Sequence, residues 1–159
     1  MAQQRPLPPN AEDLDPSRLV SVGGPIDRAC VMLRVFGESL APDIVTEFLG
    51  CQPSEARKKG DVIPDSRYHR VARTGSWLLE GGSDGKIEID QQITELLSSL
   101  TDDMQVWHRL SDDFQVDIFC GVFLEEFNRG FELSPHVLQA LGERRIKLGF
   151  DIYGDGEIV

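Results

Sequence analysis

From Arg28 to Phe36 the chain alternates. Ala29, Val31, Leu33 and Val35 fall on one side of a period-two pattern, and Cys30, Met32, Arg34 and Phe36 on the other. That pattern predicts a strand with one face turned to a core. The alternation returns from Phe114 to Leu124, with Val116, Ile118, Cys120, Val122 and Leu124 in phase, and again from Lys147 to Tyr153, with Leu148, Phe150 and Ile152 in phase. A shorter run, Gly75-Ser76-Trp77-Leu78-Leu79-Glu80, closed by Gly81-Gly82, predicts a further strand.

Between these runs the period changes to that of a helix. Ile44, Val45, Phe48 and Leu49 form one stripe, Ile89, Ile93, Leu96, Leu97 and Leu100 a second over about 87–100, and Val137, Leu138 and Leu141 a third. Val106, Trp107 and Leu110 either extend the middle helix by a turn or form a connector. Two of the helix starts echo each other, Leu40-Ala41-Pro42-Asp43-Ile44-Val45 and Leu133-Ser134-Pro135-His136-Val137-Leu138. Each places proline where a helix tolerates a missing N–H, Ser134 is a good N-cap, and Gly50 and Gly142 lie near the two helix ends.

The echo predicts two strand–helix–strand halves with a helix inserted between them, each half crossing over right-handedly. The fold class expected is α+β, a ferredoxin-like sandwich with a four-stranded mixed or antiparallel sheet and its helices on one face. Residues 1–26 carry five prolines and a Gly23-Gly24 pair, so they are expected to form a flexible N-terminal arm ahead of a single domain over 27–159. Leu19, Val20 and Val22 could dock that arm as an edge strand. From Cys51 to Arg73 the pattern loosens, with Pro53, Gly60 and Pro64 as punctuation.

At 159 residues, 40% hydrophobic and 27% charged, the chain suits one globular domain able to bury a core. The net charge of -11 argues against a basic surface for nucleic acid and against anionic membranes, and suits a basic protein partner. The N-terminus has no apolar signal-like region and no apolar run is long enough to span a bilayer, so the compartment expected is the cytoplasm. Cys30, Cys51 and Cys120 are odd in number and widely spaced, which is not a disulfide framework.

Candidate chemistry concentrates in two places. A basic island holds Arg57, Lys58, Lys59, Arg67, Arg70 and Arg73, with Tyr68 and His69 among them, and Gly60 could turn a backbone N–H toward an anion. Arg57, Lys59, Gly60, Arg70 and Arg73 are therefore anion-binding candidates, and Trp77 could stack on a ligand. The plainer readings are a solvated loop for the island and a core position for Trp77. The second place is the sheet face opposite the helices. Alternation puts Arg34, Phe36, Asp117, Phe119, Phe123, Asp151 and Tyr153 there, together with Met32. A half-apolar face of this kind marks an interface unless the arm or the segment around Val106-Trp107 covers it.

No GxxxxGK[ST], GxGxxG, GxSxG or HExxH motif is present, and His69, His108 and His136 stand far apart. No catalytic residue, metal ligand or cofactor is therefore nominated. Asp102-Asp103, Asp112-Asp113 and Glu125-Glu126 read as solvated acids.

The run Val35-Phe36-Gly37-Glu38-Ser39-Leu40-Ala41-Pro42-Asp43-Ile44-Val45-Thr46-Glu47-Phe48-Leu49-Gly50, then Pro53 and Arg57-Lys58-Lys59-Gly60-Asp61, resembles the bacterial domain-of-unknown-function family numbered 4279. Gly75-Ser76-Trp77, the middle helix, Phe131-Glu132-Leu133-Ser134-Pro135 and Leu148-Gly149-Phe150-Asp151-Ile152-Tyr153 resemble its other landmarks, over about residues 28–153. Ala41 departs from the acidic residue usual before the proline. The resemblance implies a small cytosolic bacterial domain with no established activity; some such small families serve as immunity proteins beside toxins.

Three readings follow: a non-enzymatic binding module, a toxin-neutralising immunity protein, and an enzyme acting on an anionic small molecule. The aromatic face leads to the expectation of a homodimer or a complex with a protein partner.

Overall fold

In a computed structural model of the chain, residues 24–64, 70–82, 88–125 and 129–154 are described. The strands are β1 (Gly24–Pro25), β2 (Arg28–Gly37), β3 (Glu55–Arg57), β4 (Gly75–Glu80), β5 (Gln115–Leu124), β6 (Arg129–Gly130) and β7 (Lys147–Gly154). The helices are α1 (Pro42–Leu49), α2 (Ile89–Ser98), α3 (Met104–Asp113) and α4 (Pro135–Glu143). The fold is α+β.

The main sheet is mixed and has five strands in the order β3-β4-β2-β5-β7; β1 and β6 form a separate two-stranded pair. The expectation of a four-stranded sheet is corrected by β3, which arises from the loosely patterned stretch and adds itself to β4. The ferredoxin-like order is corrected too, because the two echoed halves are not equivalent. β2 and β4, joined through α1, are antiparallel neighbours, whereas β5 and β7, joined through α4, are parallel neighbours. Neither half leaves a strand between its two members, as a split βαβ would. The right-handed rule governs parallel crossovers, so it has no hold on the first half.

Register explains which residues are buried. Val31 opposes Cys120, Leu33 opposes Ile118 and Val35 opposes both Val116 and Trp77, all on the inner face. Val45 and Leu49 of α1, Ile89, Ile93, Leu96 and Leu97 of α2, Trp107 and Leu110 of α3, and Val137 and Leu141 of α4 join them in one core. All four helices of the described residues therefore pack on the inner face. Trp107 and Leu110 belong to a helix of their own, which Asp103 starts by accepting from the Gln105 N–H.

The helix ends show how far the echo runs. Gly50 closes α1 in the left-handed conformation at φ 70° and donates its N–H to the Thr46 carbonyl. Gly142 does not match it: α4 continues to Glu143, and the left-handed position falls on Arg145 at φ 56°. At the starts, Ala41 makes no side-chain cap, whereas Ser134 accepts from the Val137 N–H and is itself held by Asp90 of α2.

Most of the expected arm, 1–23, lies outside the described residues, as do Leu19, Val20 and Val22. Its last residues are corrected: Gly24 and Pro25 pair with β6, and Ile26 packs against the core. No described helix is long and apolar enough to cross a membrane.

Candidate functional site

The outer face of the sheet is built by the register of β2, β5 and β7. Arg34 stands opposite Asp117, Met32 opposite Phe119, and Arg28 opposite Phe123, which on its other side faces Tyr153. Alternation alone put these side chains on one face; register makes them touch.

Arg34 donates from Nε to Asp117 Oδ1 at 2.6 Å and from Nη2 to Oδ2 at 3.1 Å, a two-point pair in which both groups are half-buried. The same guanidinium lies 4.5 Å from the Phe119 ring centroid and 5.6 Å from that of Phe36. Arg28 lies 4.1 Å over Phe123, whose other neighbour, Tyr153, stacks on it at 5.0 Å with 12° between the planes. Tyr153 donates its hydroxyl to Asp151 Oδ2 at 2.5 Å. That bond raises the phenol above the ordinary tyrosine range, since losing the proton would leave two negative oxygens in contact.

The rings are thus not laid bare in water. Phe36, Phe119 and Phe123 are half-buried, in part under guanidinium groups, and Tyr153 is the exposed one. Each cation–ring contact contributes about 0.5–1 kcal/mol at such sites. The result is a lattice of arginine, aromatic and carboxylate groups rather than an oily patch. Arg28 completes it and is absent from the sequence-based set; it shares the phase of Arg34, but its place at the first position of β2 hides its role in a pattern of period two.

The cysteines divide by face. Cys30 is exposed on the outer face, while Cys120, opposite Val31, points inward, where burial pushes its thiol up to about 12. They are close neighbours on opposite sides of the sheet.

The basic island is less open than its composition predicts. Arg57 pairs with Glu55 at 2.8 Å, Lys58 with Asp43 at 3.9 Å and Lys59 with Glu38 at 3.3 Å. Gly60 has the expected positive φ, 93°, but its N–H is taken by the Ala72 carbonyl, so it does not face an anion. A Val62–Val71 bridge joins the two arms of this loop, and Arg70 and Arg73 line a shallow hollow with Ile63 and Val71. Arg67, Tyr68 and His69 lie outside the described residues. Trp77 is corrected as a ligand-stacking residue: it is wholly buried and donates its indole N–H to Thr46 Oγ1 at 3.0 Å, so the core covers both ring faces.

Three of the paired acids carry structural duties, and Glu126 lies outside the described residues. Asp102 holds the buried Arg144 and Asp112 holds Arg145, while Asp103 caps α3. Among the described residues no group of His, Cys, Asp and Glu is placed to hold a metal ion.

A family profile described as Domain of unknown function (DUF4279) matches residues 27–155. The chain belongs to that family. Its span takes in β2 through β7, and with them every outer-face residue named above. No curated protein and no solved structure matches this DUF4279 chain.

Proposed function

We propose that this DUF4279 domain is a non-enzymatic binding module that docks a protein partner on the outer face of its sheet, in a bacterial cytosolic setting. The observation that carries the reading is the composition of that face: Arg28, Arg34, Met32, Phe36, Phe119, Phe123 and Tyr153 on one side of the sheet, none of them part of the core. Arginine, methionine and aromatic residues are the types enriched where proteins meet, and aromatic and arginine anchors carry most of the energy of such contacts. The face spans three paired strands, β2, β5 and β7, an extent that suits a macromolecule better than a small ligand. A second copy of the chain is the other occupant that the same surface would accept.

A net charge of -11 steers the domain toward basic partners, and a toxin-neutralising role is the case in which that partner is a toxin. The test is affinity capture from the source cell with the unmodified domain and with Phe119→Asp, which puts a charge at the centre of the lattice. A protein held by the first and lost from the second, at equal melting temperature, supports the reading. Identical captured sets from both proteins overturn it.

A further inference from the structure

The two edges of the sheet are unlike. β3 has three residues, with Glu55 and Arg57 among them, and so is short and charged, a form that resists pairing with another chain. β7 has eight residues and no proline, and among the described residues it pairs with β5 alone. Its far edge presents a row of backbone N–H and C=O groups about 25 Å long. Phe150, Ile152 and Tyr153 along it are 39%, 56% and 48% exposed. A long edge with exposed apolar side chains, to which no described strand pairs, is a template for a further strand.

We propose that β7 pairs antiparallel with β7 of a second copy, about a two-fold axis through Phe150, joining two five-stranded sheets into one continuous sheet. The sequence of β7 is complementary to itself in that register. On the inner face Phe150, whose ring lies 5.2 Å from that of Phe131 in its own chain, meets its own copy, and Leu148 meets Ile152. On the outer face Lys147 meets Tyr153 and lies diagonal to Asp151, within reach of its long side chain.

Neighbouring registers are worse. A shift of the axis to Asp151 sets two carboxylates opposite each other, which is destabilising. A shift to Gly149 brings Lys147 directly opposite Asp151, but it gives up the self-pairing of Phe150 and sets Ile152 against Ile146, which is already buried in its own core. A closed two-fold contact also leaves no free copy of this edge for open-ended assembly. Because the axis stands perpendicular to the sheet, both outer faces lie on the same side and merge. The inference stands apart from the docking role of that face.

Sedimentation of the full-length chain over the micromolar range tests it, with twice the chain mass expected. Ile152→Lys is expected to give a folded single chain. Lys147→Glu and Asp151→Lys, each alone, place like charges across the two-fold and are expected to weaken dimerisation by about tenfold. Combined, they restore opposite signs and are expected to recover it, which loss of folding in either single variant could not imitate. Phe119→Asp is expected to leave the dimer intact, which separates this contact from partner docking. A strict monomer overturns the proposal, including one whose β7 amides lose exchange protection when residues 1–23 are removed, since the edge would then be covered within one chain. A dimer indifferent to Ile152→Lys, Lys147→Glu and Asp151→Lys overturns it equally.

Discussion

At Gly75 the backbone passes so close to the turn before α1 that a side chain has nowhere to go. A Cβ built there meets the Leu40 carbonyl oxygen at 2.6 Å and Leu40 Cβ at 2.9 Å. Both obstacles belong to a buried, backbone-anchored corner, so relief requires movement of β4 or of the turn. Gly75→Ala is expected to destabilise the domain by about 1–3 kcal/mol, as overpacking of a close-packed interior does. Gly142 supplies the contrast: it lies inside α4, and nothing comes within 4 Å of a Cβ built on it. Gly142→Ala is expected to stabilise by up to about 1 kcal/mol, by the gain in helix propensity and the loss of unfolded-state freedom. Urea unfolding of both variants checks the pair; equal and small effects would mean that the close approach at Gly75 is relaxed in solution.

At the scale of elements, strong periodicity was legible and pairing was not. β2, β5 and β7 are the three runs whose alternation stands out, and each is present within about one residue of its expected bounds. The stripe of α3 is too short to separate a helix of its own from an extension of α2, though Asp103 ahead of Val106 and Trp107 is a readable N-cap signal. β3 was invisible, since Glu55-Ala56-Arg57 has no apolar phase and forms only because β4 offers it an edge. The same limit applies to the candidate sites. Phase alone predicts which residues share the outer face, but the Arg34–Asp117 pair and the overlay of rings by arginines depend on register between strands more than 80 residues apart. In the island, composition concealed that the loop pairs locally with the acids Glu38, Asp43 and Glu55. Those pairs are exposed or only half-buried, and exposed ion pairs contribute about 0.2–1 kcal/mol. Replacement of Arg57, Lys59 and Arg73 by alanine, one at a time, is therefore expected to change stability by no more than about 0.5 kcal/mol each. A larger loss on thermal unfolding would show that the loop anchors β3 to the sheet.

For the molecule as a whole, the core is drawn from residues between Ile26 and Leu148, and its N-terminal boundary is fixed by a latch rather than by composition. Asp27 accepts the Glu125 N–H at 2.7 Å and Arg129 Nε at 3.3 Å, tying the start of β2 to the end of β5. The Glu125 bond, helped by Arg129, holds the Asp27 carboxyl below its ordinary value of 3.8. A chain beginning at Gly24 keeps this latch, the β1–β6 pair and Ile26, and is expected to melt within about 2 °C of the full chain. A chain beginning at Arg28 loses all three and is expected to melt lower by several degrees, since each kcal/mol lost moves a domain of this size by about 2–4 °C. The pH dependence of the gap identifies the latch. A carboxyl with a lowered folded pKa stabilises fully above its unfolded value and loses that contribution as pH falls through the folded value. The gap between the two truncated chains should therefore be widest at neutral pH and narrow below the ordinary aspartate range. A gap independent of pH would assign the loss to Ile26 and β1 alone, and an unfolded chain beginning at Gly24 would show that residues 1–23 are needed to build the domain.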